Sequence, residues 1–478
     1  MQKKPNIIFI VMDALRPKNL GCYGYSRNTS PNIDSLAKEG ALFLNCFSSN
    51  NSTEKSVLAI LSSRHVLLEG DKNLLLTNKE LNNLFNSGGV FLQEILKNKG
   101  YKTYCLKNLY GWQERGFDYF YKMIENQDNK NHFFKGLIKH LKIRELARKI
   151  THNLPSKKIA DKIKAKFGRN DGKKTTEDAI KIIKESKKKK ENFFMWIDYA
   201  DTHIPYNPKE FTKKFIAEKK DTNFFNKALK ENHNPLVVGF WKGAFHKKDS
   251  FNDIIARYDS AIFYNDFLIG RILGTLKENN LLKDTIIFFF SDHGESCYEH
   301  NIYFDHHGLY DVTTHFPLII TGKDIPKNKK ISGFVQHEDF LPTILDLLKI
   351  KYDKENFDGK SLIPLIKKNK ELRDYVFMEE GDKVKKRAIR TKEHKYIEAN
   401  STLDATCRYC NKIHGGVTEL YNLKTDPEEE ENLANQNQEL LGKMQATLNQ
   451  ELTNRKKLNE KRRIKKTFET LKNNNVYK

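Results

Sequence analysis

The chain has 478 residues, 38% hydrophobic and 11% aromatic, with a formal net charge of +23. That length and core content suit one large domain plus a smaller one and exclude a disordered chain, and nothing approaches the roughly 18 consecutive apolar residues of a membrane-spanning helix. Six scattered cysteines (Cys22, Cys46, Cys105, Cys297, Cys407 and Cys410) exclude a disulfide framework and suit a reducing compartment.

In chain order, residues 1–5 lead straight into Asn6–Met12, an apolar strand too short for a signal-peptide core, so a cytoplasmic location is expected. This strand delivers Asp13 to its carboxyl end. Residues 31–40 read as a short helix stopped by Gly40, and Ala41–Cys46 as a strand. Residues 50–64 turn from polar to helical, placing Ser52 or Thr53 at the helix N-cap or first turn. A helix over 91–100 and a strand over 101–106 continue a β-α alternation.

Residues 124–175 interrupt this rhythm with a basic amphipathic pattern, suited to an anionic membrane surface or a lid. Residues 192–199 form a buried strand followed by ADTHIPY, and 207–249 a polar, lid-like insertion. A long helix over 251–282 feeds the strand Thr285–Phe290, which runs into Ser-Asp-His-Gly-Glu. Residues 316–321 read as one more parallel-type strand and 340–348 as a helix. Beyond about 370 the pieces become short and alternating, predicting a small antiparallel subdomain over 371–435. A basic helical tail follows over 436–478.

The charge is uneven. Residues 130–169 hold thirteen Lys/Arg against two Asp/Glu and residues 451–478 ten against three, leaving +5 for everything else. Basicity therefore belongs to two appendages, as solvated faces or peripheral membrane contacts; nucleic acid is not an expected partner.

Ligand sites in open α/β sheets lie beyond the carboxyl ends of the strands. Three apolar strands there deliver Asp13, His203 and the Asp292–His293 pair, and carboxylates with imidazole suit a divalent cation. A hydroxyl at the Thr53 helix start sits in the positive field of the helix N-terminus; beside a cation it can serve as a nucleophile, and otherwise it is a cap. Cys407 and Cys410 form a C-x-x-C pair, for which His394 and His414 are candidate co-ligands.

The stretch PNIIFIVMDALRPKNLGCYGYSRNTSPNIDSLAKEGALFLNCFS, with residues 52–64, ADTHIPYNP, SDHGE, DHHGLYDVTTHFPLIITG, FDGKSLIPL and ELYNLKTDPEEEENLA, resembles the sulfatase branch of the alkaline phosphatase superfamily. Only about 124–175, 207–249 and 436–478 are unmatched. The resemblance implies a doubly wound, mostly parallel α/β sheet over 1–370 with the small C-terminal α+β antiparallel-sheet subdomain.

It also implies site roles. Asp13, Asp292 and His293 match metal ligands. Thr53 occupies the slot where sulfatases carry a Cys or Ser converted to formylglycine, in C/S-x-P-S-R-x-x-x-L-x-G; here Lys55, Val57 and Ser63 replace the Pro, the Arg and the Gly. Thr cannot become formylglycine. The substitution resembles the phosphoethanolamine and phosphoglycerol transferases of the superfamily, where a metal-bound Thr takes the phosphoryl group. The expected activity is therefore metal-dependent phosphoryl or phosphodiester transfer or hydrolysis, with sulfuric ester hydrolysis as the alternative and a non-catalytic basic membrane- or nucleic-acid-associated protein as a second.

His203 in H-x-P-Y matches a histidine that holds phosphate oxygens in that transferase branch, His307 the one facing the leaving group, and His306 a position often cationic in sulfatases, while His337, Glu338 and Asp339 sit where the family has a structural turn, which implies scaffold. Arg16 is a further candidate for substrate contact. One divalent ion is expected because Ala14 replaces a second Asp of calcium-dependent sulfatases, with Zn or Mn ahead of Ca or Mg because imidazole favours them. The expected substrate is a phosphate or sulfate ester, lipid- or glycan-linked.

Overall fold

The computed structural model describes residues 4–68, 76–106, 110–120, 172–204, 206, 210–216, 224–231, 238, 241–242, 245 and 249–473. The basic stretch 130–169 lies outside the described residues, and the insertion at 207–249 is described only in pieces.

Twelve strands are named in chain order: β1 (Asn6–Met12), β2 (Ala41–Cys46), β3 (Lys102–Cys105), β4 (Tyr119–Phe120), β5 (Phe193–Tyr199), β6 (Thr285–Phe290), β7 (Leu318–Thr321), β8 (Lys329–Val335), β9 (Tyr375–Glu380), β10 (Lys386–Thr391), β11 (His394–Ala399) and β12 (Thr418–Asn422). Eight form one sheet in the order β4-β3-β5-β1-β6-β7-β2-β8. All run parallel except β7, which pairs antiparallel with both β6 and β2. The expectation of a parallel strand at 316–321 is thus corrected. A short run buried on both faces carries no sign of its direction.

The central strands alternate residues into two cores. Ile7, Phe9 and Val11 of β1 join one cluster with Phe288 and Phe290, while Ile8, Ile10 and Met12 join the other with Ile287 and Phe289. The first face is covered by the helices Thr53–Ser62, Leu92–Asn98 and Phe340–Leu347, the second by Pro31–Lys38, Gly172–Lys189 and Phe251–Glu278. Each fully buried Ile or Phe contributes roughly 1.5–3 kcal/mol, which holds the strands in register. The Phe251–Glu278 helix is started by a capping box, with Ser250 Oγ accepting from Asp253 N–H and Asp253 accepting from Ser250 N–H. Among the described residues no helix is long and apolar enough to cross a membrane.

The strands β9–β12 form the small antiparallel sheet. One face packs Val376, Met378 and Ile397 against Leu309 and Tyr310 of the loop beyond β6. The other packs Phe377, Ile389, Tyr396 and Leu420 against Met444, Leu448 and Leu452 of the C-terminal helix Gln438–Asn473. That helix then reaches the large sheet's periphery: buried Arg462 meets Asp358 at 2.6 Å, and Lys461 and Lys465 pair with Glu355 and Asp353.

Candidate active site

β1 lies between β5 and β6, so the carboxyl ends of the three strands open side by side. The turn after β1 is closely shaped. Ala14 adopts φ of 57°, a left-handed conformation uncommon outside glycine and often found at functional sites. Its N–H donates to Asp292 Oδ1 at 3.2 Å, and the His293 N–H donates to the same oxygen at 3.0 Å. Tyr258 O–H donates to the Ala14 carbonyl at 2.7 Å and accepts the Arg16 N–H at 3.0 Å, pinning the turn to the long helix.

His293 Nδ1 lies 2.8 Å from the Gly294 carbonyl. A proton placed there leaves Nε2 as an acceptor, the arrangement that orients a metal-ligating imidazole. Around Nε2 stand Thr53 Oγ1 at 3.1 Å, Asp292 Oδ2 at 3.4 Å and Asp13 Oδ1 at 3.8 Å. The ligand atoms of Asp13, Asp292 and His293 all lie within 4.8 Å of one another, and the three residues are buried. Two carboxylates facing an imidazole lone pair out of water repel unless a cation sits among them. The donor set fits a divalent ion, with the Thr53 hydroxyl in reach as a further ligand.

Thr53 opens its helix. Ser52 is the N-cap residue, extended at φ −114° and ψ 128°, with no side-chain capping bond, so Thr53 sits in the first turn with its hydroxyl turned to His293. The loop before it is clamped: Asn51 Nδ2 donates to the carbonyls of His306 at 2.7 Å and Gly308 at 3.0 Å and to Glu380 Oε2 at 2.9 Å. The start of the Thr53 helix is thereby tied to both the loop beyond β6 and the small sheet.

The opposite wall is basic. His203 has Nδ1 at 2.7 Å from the Ile204 carbonyl, and its ring lies 5.9 Å from that of His306. The His306 ring is 4.1 Å from the His293 ring, and its Nδ1 is 3.5 Å from Glu295 Oε2. Lys383, absent from the sequence expectation, reaches in from the turn after β9. Its Nζ lies 3.3 Å from His306 Nε2, 3.1 Å from Asp305 Oδ1 and 2.8 Å from Asp382 Oδ2. The small sheet thus supplies a cation to the pocket. An available signal was the Gly-Asp-Lys turn directly after an apolar strand, the same strand-end cue that identified Asp13 and Asp292.

Two expected site residues are placed otherwise. Arg16 is 7% exposed and donates to Asn19 Oδ1 at 2.9 Å and Glu299 Oε1 at 2.9 Å, so its charge is already answered inside the fold. His307 Nε2 lies 3.7 Å from Cys407 Sγ in the small subdomain, where it has a partner the sequence reading did not foresee. The scaffold reading of 337–339 agrees with the contacts, since Asp339 takes two hydrogen bonds from Arg373 and His337 Nε2 lies 2.9 Å from the Ser291 carbonyl.

The family model described as Sulfatase matches residues 5–350, and one described as N-sulphoglucosamine sulphohydrolase, C-terminal, matches 298–458. An arylsulfatase of Clostridium perfringens is 25% identical over 462 residues, covering 90% of each chain. Human iduronate 2-sulfatase is 26% identical over 345 residues, covering 66% of this chain and 59% of its own length. The chain therefore spans about three fifths of that relative. Among solved structures, one described as in complex with its substrate D-glucosamine-2-N,6-O-disulfate superposes with a TM-score of 0.63 at 20% identity over 96% of this chain and 99% of that one. A 2-O GAG sulfatase gives 0.65 at 20% identity over 95% and 93%. These two establish the fold.

The relatives overturn the expected phosphoryl or phosphodiester transfer, because they are named for sulfate esters. The expectation rested on the inability of Thr53 to become formylglycine and on the resemblance to the Thr-nucleophile transferases of the superfamily.

Proposed function

Because the chain belongs to the sulfatase family, an assignment carried by the match over residues 5–350, we propose that it hydrolyses a sulfate monoester of a sugar hydroxyl, with Thr53 as the nucleophile. The observation that carries the assignment of roles is Thr53 Oγ1 standing 3.1 Å from His293 Nε2, beside the carboxylates of Asp13 and Asp292. A sulfated glycan is favoured by the substrates named for the relatives, glucosamine disulfate and glycosaminoglycan among them.

The sulfuryl group, with its negative charge, is received beside the His203 and His306 rings, where the fixed charge of Lys383 offsets charge that spreads over its oxygens. Thr53 Oγ1 attacks sulfur while the sulfur–oxygen bond to the sugar breaks. The hydroxyl proton passes to His203, whose Nε2 is the acceptor when Nδ1 donates to Ile204, and from there to the departing sugar oxygen. Water then attacks sulfur of the sulfothreonine, returning the Thr53 hydroxyl and releasing hydrogen sulfate. Asp13, Asp292 and His293, with Thr53 in reach, would hold a divalent cation, which when bound would supply positive charge that favours the ionised hydroxyl. Asn51 and the Ala14 turn keep these groups in place.

The test is turnover of nitrophenyl sulfate and of sulfated glucosamine and uronic acid disaccharides, beside nitrophenyl phosphate, with and without added Zn²⁺, Mn²⁺ or Ca²⁺. The expected result is sulfate release that requires a divalent ion and falls about 10³-fold or more in Thr53→Ala. Sulfate release by Thr53→Ala at the wild-type rate excludes the nucleophile role. Turnover of the phosphate alone excludes the reading altogether.

A further inference from the structure

The C-x-x-C pair of the small subdomain is not used by the hydrolytic site, yet two histidines converge on it. We propose that His307, Cys407, Cys410 and His414 form a second metal centre, a tetrahedral Cys₂His₂ zinc site that staples the β11–β12 connection to the loop beyond β6.

The sequence spacing is C-x₂-C-x₃-H, within the range of structural zinc ligand sets. The backbone forms the tight loop such a pair needs. Cys407 N–H donates to the Lys412 carbonyl and Asn411 N–H to the Cys407 carbonyl, both at 2.8 Å, while Thr406 and Ile413 pair antiparallel across the loop. Asn411, directly after the second cysteine, takes φ of 59°, a left-handed conformation that asparagine tolerates. Tyr409 N–H donates to Cys407 Sγ at 3.4 Å, a contact that stabilises a thiolate.

The imidazoles are oriented from behind. His414 Nδ1 lies 3.0 Å from the His300 carbonyl, which turns Nε2 onto Cys410 Sγ at 3.1 Å. His307 Nδ1 faces Asp305 Oδ2 at 3.6 Å, and its Nε2 faces Cys407 Sγ at 3.7 Å. A carbonyl or a carboxylate behind each ring is the usual outer support of metal-bound histidines. With Zn–S of about 2.3 Å and Zn–N of about 2.0 Å, tetrahedral geometry separates sulfur from nitrogen by about 3.6 Å. The two observed separations bracket that distance.

The ligand atoms of His307, Cys407 and His414 lie within 4.8 Å of one another, and Cys410 joins through His414. Both cysteines are free thiols, and all four residues are buried. His394, the other co-ligand expected from sequence, stands at the start of β11, paired with Asn422, and takes no part.

The position gives the site a purpose. His307 follows His306, whose ring lies against His293, and Arg408 N–H donates to the Lys383 carbonyl at 3.1 Å. Zinc here fixes the two basic residues that line the pocket from opposite domains. The assignment stands apart from the hydrolytic reading, because it is read by metal content and thiol chemistry.

The experiment is elemental analysis of the full chain purified without chelator, for wild type, Cys407→Ser with Cys410→Ser, and Asp13→Asn with Asp292→Asn. The expected result is one zinc per chain that survives the two Asp substitutions and is lost in the double Ser variant. Replacement by Co²⁺ in wild type gives thiolate-to-cobalt charge-transfer absorption, and native protein shields both thiols from an aromatic disulfide reagent until a chelator is added. Unchanged zinc in the double Ser variant overturns the proposal. So do freely reactive thiols in chelator-free native protein, or a Cys407–Cys410 disulfide in its peptide map.

Discussion

Lys383 shows how much one side chain can decide in this pocket. It is buried with its charge shared between Asp305 and Asp382 while it touches His306. A cation already held by two carboxylates requires no reorganisation when a sulfuryl oxygen arrives, which is the condition for electrostatic catalysis. Lys383→Ala is expected to lower kcat/KM by about 10²-fold or more, with Lys383→Arg recovering part of the loss. Steady-state kinetics beside a melting curve separate this from misfolding, because Lys383→Ala also leaves Asp305 and Asp382 short of a buried partner. Equal kcat/KM in Lys383→Ala and wild type excludes it from the site.

At the same scale, the structure brings together Asp13, Thr53, Asp292 and His293, each named in the sequence because it follows an apolar strand or starts a helix, and sets nearby His203 and His306, the latter named only through the family resemblance. Arg16 and His307 meet Glu299 and Cys407, partners 283 and 100 residues away. Nothing local signals such a partner.

Between elements, the exit of the Thr53–Ser62 helix is fastened by a buried cluster. His65 Nε2 lies 2.8 Å from Glu379 of β9, and its Nδ1 3.5 Å from Glu338. Arg387 reaches Glu379 at 2.7 Å, and Arg455 of the C-terminal helix adds positive charge near Glu338. Burial pushes both carboxyls up, but hydrogen bonding and charge from His65, together with the nearby arginines, more than offset it and hold each at about 2, against an ordinary value of 4.5.

Depressed carboxyl pKa values contribute stability that is present above about pH 4.5 and lost as pH falls toward 2, roughly 3 kcal/mol for each shift taken alone. The His65 imidazole is itself raised: burial lowers it and the two glutamates raise it further, so its contribution is present below about 6.5 and lost at higher pH. The melting temperature is therefore expected to fall between pH 4.5 and 2, with a shallower fall in His65→Phe. Parallel curves for the two proteins remove His65 from the account. The elements themselves were largely legible from apolar runs, as with Thr285–Phe290, recovered residue for residue. The direction of β7 was not, since pairing sense depends on neighbours remote in sequence.

Across the whole molecule, the C-terminal helix links the small sheet to the rim of the large one. Its basicity reads in the sequence as an appendage of +7, yet part of it is internal, because Arg462 is 3% exposed and bound to Asp358. Removing one member of a buried pair costs about 3–5 kcal/mol when the other charge is left behind. Arg462→Ala is expected to lower the denaturant midpoint accordingly, while Lys461→Ala, at an exposed pair, shifts it by less than about 1 kcal/mol. Equal shifts would show that the helix does not depend on its buried contact. Sequence could count these charges but could not pair them, since Asp353, Glu355 and Asp358 lie more than 100 residues earlier. The fold class was readable because long motif runs and alternating apolar strands agree with one another.

The central claim is that the Thr53 oxygen takes the sulfuryl group. The direct measurement is rapid acid quench of the enzyme during turnover of a sulfated sugar, followed by peptide mass spectrometry. The account predicts one added SO₃ on Thr53, present only while substrate remains and absent from Thr53→Ala. Sulfate release at full rate with no modified Thr53 peptide at any quench time, and the same rate in Thr53→Ala, would contradict it.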